Sequence, residues 1–356
     1  MARKMKAALL YGPRKIKVEE REVPRLGSNE VLLRVKAVGV CGSDVAYYRR
    51  GKADVPPPMA LGHEFTAEIV ELGEFAERLG LLGEGEQVVV EPVQSCGVCS
   101  ACKNAMPNLC IKMVVLGVNV DGGFGEYCKA FYNYMHPLPD RVSYEEGAFT
   151  EPLACAVYGV RKMKISPGDF CVVVGPGPIG LMMVQYVKAS GAGKVVLVGT
   201  RDYRLKMGVK LGADYAINVR EKESEFYARD LAEKIFELNN RKGADAVIVA
   251  TGDKEANQQA LRMGGSRSRT VFFGGAGYSA EDSVSLNLWD GTLADKEIAF
   301  SWLSPFTFPA ALKAISRGLV KVKPLITHTF PLERTGEAIE TAEKRLGNAV
   351  KVQVKP

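Results

Sequence analysis

The sequence predicts an α/β chain in two parts: a β-rich segment over residues 1–155, then a doubly wound parallel sheet over 156–296. Three observations carry that prediction. Short alternating segments rich in Gly and Pro fill the first part. Strand and helix patterns then take turns, with strands at 170–174, 194–199, 245–250 and 270–274 and helices notably at 202–211 and 254–263. That alternation is what a parallel sheet covered by helices needs. Finally, Gly175-Pro176-Gly177-Pro178-Ile179-Gly180 forms a G-x-G-x-x-G turn between a strand and a helix.

In the first part, Leu33, Arg34, Val35 and Lys36 alternate as in a half-buried strand, and Cys41 follows in Val40-Cys41-Gly42-Ser43-Asp44. His63 and Glu64 stand in Leu61-Gly62-His63-Glu64-Phe65, just before the apolar run toward Val70. Glu151 opens Glu151-Pro152-Leu153-Ala154. One Cys, one His and one or two carboxylates suit an open zinc site, which keeps a position for water or substrate. Taken singly, each also reads as an ordinary residue: a small buried thiol, a satisfied imidazole.

Four cysteines lie much closer together. Cys96, Cys99, Cys102 and Cys110 follow the pattern C-x2-C-x2-C-x7-C. Short loops let each sulfur turn toward one tetrahedral zinc ion, at about 2.3 Å from it. A disulfide framework and an iron–sulfur cluster are the other readings of four such thiols. A chain of this length can build a core without staples, which favours the metal. All four positions would be filled, so the zinc would be structural.

The second part starts with the buried strand Phe170-Cys171-Val172-Val173-Val174. The glycines after it let the backbone approach a pyrophosphate, and the next helix offers free N–H groups and a partial positive charge at its start. That helix should set Ile179, Met183, Tyr186, Val187 and Ser190 on one face and end at Gly191. The tail changes pattern again. Residues 325–330 are strand-like, Thr335 could cap a helix ended by Gly347, and 349–354 alternate once more.

Composition fits a soluble globular protein: 47% hydrophobic and 25% charged residues. The formal charge of +6 overstates basicity, because a zinc ion held by four thiolates is a net dianion. Lys and Arg are spread along the chain, which argues against a nucleic-acid face. Ala7 to Tyr11 is too short an apolar stretch for a signal peptide, and no run approaches a membrane span. Eight cysteines, several placed as thiolate ligands, fit a reducing cytoplasm.

In this order, Cys41-Gly42-Ser43-Asp44, Gly62-His63-Glu64, the four-cysteine lobe, Glu151-Pro152-Leu153-Ala154 and Gly175 to Gly180 resemble the zinc-dependent medium-chain alcohol dehydrogenases. Val40 to Val45, Tyr47-Tyr48-Arg49-Arg50-Gly51 and Glu151 look most like the sorbitol (polyol) branch. The resemblance implies a GroES-like β-barrel catalytic domain built from 1–155 and 297–356, with the zinc lobe at 92–112. A Rossmann domain at 156–296 is inserted in it, and the active site lies in the cleft. It implies two zinc ions per chain, the second held by Cys41, His63 and Glu151, with Glu64 either binding the metal or one shell behind. Ser43 takes the place of the hydroxyl that passes the alcohol proton outward. Ala46 stands where many relatives have a proton-relaying His.

The implied reaction moves a hydride between a secondary alcohol or polyol and a nicotinamide cofactor. Gly175, Gly177, Pro178, Ile179, Gly180, Thr251 and Phe273 belong to the expected cofactor site. NAD enzymes usually carry an acidic residue at the end of the second strand. Here the register puts Gly199 there, followed by Thr200, Arg201 and Arg204. A missing carboxylate and available guanidinium groups suit a 2′-phosphate, so NADP is expected over NAD, with Asp202 as the counter-argument. Many polyol dehydrogenases have an Arg-Tyr pair where this chain reads Phe300-Ser301-Trp302-Leu303, which leaves the particular polyol open. A threonine-type amino-alcohol dehydrogenase is the related alternative. A non-catalytic dinucleotide sensor with a zinc scaffold is the alternative of another class. Resemblance also suggests a homo-oligomer, dimer or tetramer. His136 and His328 are assigned no role.

Overall fold

The strand Glu30–Gly39 is buried over Val31–Leu33, and its pairing with Glu64–Leu72 slips twice, with Val70 the extra residue at Leu32/Leu33 and Lys36 at Val35/Ala37. Each bulge re-aims the side chains beyond it. Between the slips the expected alternation holds: Leu33 and Val35 are buried, Arg34 exposed and Lys36 intermediate. The computed structural model describes residues 3–51, 58–274 and 282–356. They divide into two compact units, one of Met1–Pro152, Phe308–Ser316 and Val322–Pro356, the other of Leu153–Thr307 and Arg317–Lys321.

In the first unit the strands run Met135–Pro137, Gln87–Val90, Glu64–Leu72, Glu30–Gly39, Lys351–Lys355, Ile326–Pro331 across one sheet, and Tyr127–Phe131 also pairs with Glu30–Gly39. A smaller sheet joins Lys15–Glu22, Lys4–Gly12 and Met59–Ala60. Val35, Val38, Phe65, Ile69, Val88, Val352 and Val354 fill the core between them. The tail enters here through Lys351–Lys355, which pairs with Gly39 and Val38. The tail helix is Thr335–Lys344, capped by Arg334 rather than by Thr335. The Thr335 hydroxyl instead donates back to the Leu332 carbonyl at 2.6 Å, which puts it inside the first turn.

The second unit is a six-stranded sheet, parallel throughout. Its strands lie in the order Tyr215–Asn218, Lys194–Gly199, Phe170–Val174, Ala244–Val249, Gly264–Phe273, Glu297–Ser301. The order reverses between Phe170–Val174 and Ala244–Val249, the place where open α/β sheets bind ligands. The sequence reading put residues from 297 onward in the other domain. Glu297–Ser301 instead pairs parallel with Arg269–Phe273, so the sheet carries one strand more than that boundary allowed. The glycine-turn helix, Pro178–Ala189, buries Leu181, Met182 and Val184 as well as Met183 and Val187. It is enclosed on most sides rather than along one stripe, and Gly191 follows it at φ +106°. Among the described residues, no helix is long and apolar enough to cross a membrane.

Candidate metal centres and dinucleotide site

The lobe comes first because its geometry is simplest. Cys99 caps the short helix Ser100–Lys103, and Cys110 ends the turn Pro107–Leu109. The Cys99 sulfur lies 3.5 Å from that of Cys102 and 4.0 Å from that of Cys110. All four sulfurs lie within 4.8 Å of one another. Vertices of a tetrahedron about 2.3 Å from a central zinc stand about 3.8 Å apart. The set fits one metal ion. A disulfide would need about 2.05 Å, and all eight cysteines are free.

Backbone N–H groups already serve the sulfurs. Those of Cys96 and Lys112 donate to Cys110 at 3.3 and 3.4 Å. Those of Cys102 and Ile111 pull the Cys99 thiol down to about 6. Burial and the shared proton of Cys99 push Cys102 up to about 11. Val98, Met106, Leu109 and Ile111 around the lobe are exposed, so little apolar burial holds it in shape.

The second centre follows from strand pairing. Gly39 faces Glu64 across the antiparallel pair Glu30–Gly39 and Glu64–Leu72. Cys41, two residues past the first strand, is therefore brought beside His63 and Glu64, at the start of the second. Their ligand atoms lie within 4.8 Å of one another. Cys41 caps the helix Gly42–Arg50, and Asp44 in its first turn is fully buried. Asp44 Oδ2 accepts from the Cys41 N–H at 2.8 Å, and Oδ1 accepts from the Gly62 N–H at 3.3 Å. Two backbone bonds thus tie both ligand-bearing segments to one carboxylate.

The charges around this candidate centre suit a cation. Burial works against a protonated His63, yet the Cys41, Asp44 and Glu151 charges hold its pKa well above the ordinary value. Burial raises the pKa of Asp44. The same field keeps the buried Lys351 pKa raised against desolvation, through Glu64 and Cys41. His63 Nδ1 is buried with no hydrogen-bond partner among the described residues. A half-buried thiol, a buried imidazole with an unpartnered nitrogen and buried carboxyl groups make a donor set that a divalent zinc ion fits.

The sequence reading expected Cys41, His63 and Glu151 as ligands, with Glu64 close by. Glu151 is in the first turn of the helix Thr150–Lys162 and is buried, but it lies outside the 4.8 Å group while its charge reaches His63. Glu64 is inside the group and ion-paired with Lys351. Ser43 is half-buried in the first turn after Cys41. Sequence reasoning missed Asp44 and Lys351. Asp44 could have been found, since a Cys-x-x-Asp spacing at a helix start is a capping pattern. Lys351 carries no local signal.

At the dinucleotide site the glycine turn has the expected shape. Gly175 takes φ +105°, which disfavours a side chain. Gly177 caps the helix and Pro178 is its first residue. A Cβ on Gly180 would overlap the Gly175 carbonyl oxygen, so helix and strand meet only because it is glycine. Ile179 is half-buried in the first turn. Gly199 ends the second strand, where a Cβ would overlap the Pro176 ring and stand 2.7 Å from its Cδ.

Beyond it, Thr200 and Arg201 lead into the helix Asp202–Lys210, with Arg201 exposed as the cap. Asp202 Oδ1 accepts from Asn218 Nδ2 at 2.7 Å and Ser224 Oγ at 2.6 Å, so this oxygen braces a neighbouring loop. Arg204 differs from expectation. It is buried and its Nε donates to the Tyr203 hydroxyl at 2.8 Å, so it braces Tyr203 rather than standing in solvent beside Arg201. Thr251 Oγ1 accepts from the Asp253 N–H at 3.3 Å, and Phe273 is half-buried at the end of its strand. Phe300 stacks on Phe272 with centroids 5.7 Å apart, and Trp302 beyond it is exposed.

Comparison with known proteins agrees in both units. Residues 27–140 match the family model for the alcohol dehydrogenase GroES-like domain, and 178–317 that for zinc-binding dehydrogenases. A sorbitol dehydrogenase of Bacillus subtilis (strain 168) is 35% identical over 99% of this chain and 97% of its own length. A putative zinc-binding dehydrogenase from Sinorhizobium meliloti 1021 bound to NADP superposes with a TM-score of 0.90 at 27% identity, covering 99% of this chain and 100% of that one. A protein described as a short chain alcohol dehydrogenase from Escherichia coli CFT073, complexed with NADH, gives 0.89 at 32% identity and 99% of both chains.

Proposed function

Because the chain belongs to the zinc-dependent medium-chain alcohol and polyol dehydrogenase family, we propose that it interconverts a polyol of the sorbitol class, or a related secondary alcohol, and its ketone with NADP(H) as the favoured cofactor. The observation that carries this is the set of half-buried Cys41 with buried His63 and Glu64, with Asp44 and Glu151 around it. A dinucleotide sensor would have no use for a second, open metal site.

Cys41 and His63 would hold the catalytic zinc, with a carboxylate from Glu64 or Glu151, and Cys96, Cys99, Cys102 and Cys110 the structural one. When bound, the zinc supplies a Lewis acid for the alcohol oxygen, and the nicotinamide supplies the hydride acceptor. The protein supplies placement and proton transfer. Asp44 orients His63 and the Cys41 turn. Ser43 Oγ receives the proton of the substrate hydroxyl and passes it outward; Ala46 has no group for the next step, so water carries it on. Glu64, ion-paired with Lys351, would stand beside the metal.

On the cofactor side, Gly175, Gly177 and Gly180 let the backbone close around a pyrophosphate at the start of the helix, where Pro178 and Ile179 form the first turn. Thr251 and Phe273 lie at the C-terminal ends of two neighbouring strands of the same sheet. Gly199 leaves no room for an acidic side chain, and Asp202 Oδ1 already has two donors. Thr200 and Arg201 therefore meet the 2′-phosphate, with Tyr203 held by Arg204. Relatives carry either dinucleotide, so the residues of this chain decide the preference.

Where many polyol dehydrogenases have an Arg-Tyr pair this chain reads Phe300-Ser301-Trp302-Leu303, so the particular polyol or secondary alcohol is the point a substrate panel decides. Leu288, Trp289 and Leu293 are exposed in the same unit as the edge strand carrying Phe300, which supports a homo-oligomer that covers them. The free cysteines suit a reducing cytoplasm. One experiment tests the reading: a panel of polyols, diols and threonine with NADP⁺ and NAD⁺, with bound zinc counted. Two zinc ions per chain and turnover of a diol or polyol support it. One zinc ion and no turnover refute it. Threonine as the best substrate moves the assignment to the amino-alcohol branch.

A further inference from the structure

A lysine with 4% of its side chain exposed stands next to the second metal centre without belonging to the ligand set. Lys351 begins the tail strand Lys351–Lys355. Its Nζ donates to Glu64 Oε2 and, at 3.0 Å, to the Val40 carbonyl. Val40 immediately precedes Cys41, and its N–H donates to the Val352 carbonyl at 2.9 Å. The tail strand therefore grips the Val40 residue from both its N–H and its carbonyl, and reaches Glu64 from the same place. Gly39 makes the space: a Cβ there would overlap Glu64 Oε2 and come 2.8 Å from Lys351 Cε.

Burying an ammonium costs several kcal/mol before its partners repay any of it, and a well-packed apolar residue often serves stability as well. A buried lysine that bridges two ligand-bearing segments is better explained by what it aligns. We propose that Lys351 is a positioning residue for the metal centre: its ammonium fixes the Glu64 carboxylate against the Val40–Cys41 turn, so that one carboxylate oxygen is committed to the lysine and the spacing of the donors is set before metal arrives. Partners that orient metal ligands typically matter 10–100-fold for affinity. Because Cys41 comes from one strand end and Glu64 from another, the tail is the element that ties them, although it contributes no ligand. This rests on the reading of Cys41 and His63 as ligands of a second zinc.

The test measures metal, not turnover. Wild type, Lys351→Met, Glu64→Gln, the double variant and Gly39→Ala are titrated with a chelator while zinc at each site is counted. Each is then loaded with Co²⁺ for its visible spectrum, read as a difference so that the lobe cancels. Lys351→Met is expected to bind zinc about 10–100-fold more weakly at this centre, with the lobe unchanged and the cobalt bands shifted. Gly39→Ala, which keeps both charges and displaces the pair, is expected to move affinity and spectrum the same way, and it decides the matter if Lys351→Met does not fold. The double variant should be no worse than Glu64→Gln alone, because the lysine acts through Glu64. Wild-type affinity and spectrum in both Lys351→Met and Gly39→Ala, or full additivity in the double variant, would overturn the proposal while leaving two zinc ions in the wild type. A single zinc in the wild type would overturn this proposal and the functional reading together.

Discussion

Asp44 Oδ1 lies 3.7 Å from Nδ1 of His63, while both Asp44 oxygens accept backbone N–H groups from the segments that carry Cys41 and His63. One buried carboxylate thus sets the electrostatics and the spacing of the two positions proposed as ligands. Asp44→Asn keeps the size but gives up the charge and one acceptor. Zinc affinity at this centre should fall about 10–100-fold, read by chelator competition. Asp44→Ala leaves buried N–H groups without a partner and should also cost about 1–3 kcal/mol of stability in denaturant unfolding.

The lobe should show an ordered reactivity once its metal is removed. Cys99 and Cys102 are 3.5 Å apart, with the first thiol near 6 and the second near 11. At neutral pH the pair is then one thiolate and one thiol, and the thiolate is the nucleophile. Iodoacetamide should label Cys99 before Cys102, read by peptide mass spectrometry. The sign follows from the lowered value: native structure favours the Cys99 thiolate, a contribution fully present above its ordinary value of 9.0 and lost as pH falls through about 6. Labelling of Cys99 in the metal-free lobe should slow over that fall. Cys99→Ser should release this zinc and lower the melting temperature while the Cys41 centre keeps its metal.

Local chemistry was legible in the sequence wherever one short segment contains it. The four thiols within one lobe, the glycine turn and the strands on either side of it all needed no tertiary information. Gly199 was placed at the end of its strand by register, and its contact with Pro176 gives the physical reason it is glycine. What stayed hidden depends on pairing across the chain. Lys351 meets Glu64 from 287 residues away, through a strand that packs beside Glu30–Gly39. Glu297–Ser301 joins the parallel sheet although the segment is too short to announce a sheet by itself. Arg204 looked like a free guanidinium in the sequence, and only packing shows it turned to Tyr203.

Gly180→Ala tests the close approach at the nucleotide turn. The new methyl would overlap the Gly175 carbonyl oxygen, a backbone atom that cannot swing aside. Overpacking of this kind costs about 1–3 kcal/mol, so the melting temperature should drop even without ligand. Dinucleotide affinity, measured by fluorescence titration, should fall as well, while both zinc ions remain, since the metal centres belong to the other unit.

Cofactor choice should hinge on Arg201. It is the exposed cap of the helix that follows Gly199, with no acidic residue at the strand end to repel a phosphate. A hydrogen bond to a charged group contributes about 1.5–3 kcal/mol, which is roughly 10–100-fold in kcat/KM. Arg201→Ala should therefore lower kcat/KM for NADP⁺ by that factor and leave NAD⁺ nearly unchanged. Asp202→Ala is the control: its carboxylate holds Asn218 and Ser224, so its removal should loosen that loop and weaken both cofactors alike. A loss confined to NAD⁺ in Asp202→Ala would mean instead that this carboxylate meets the ribose hydroxyl, and the preference would pass to NAD.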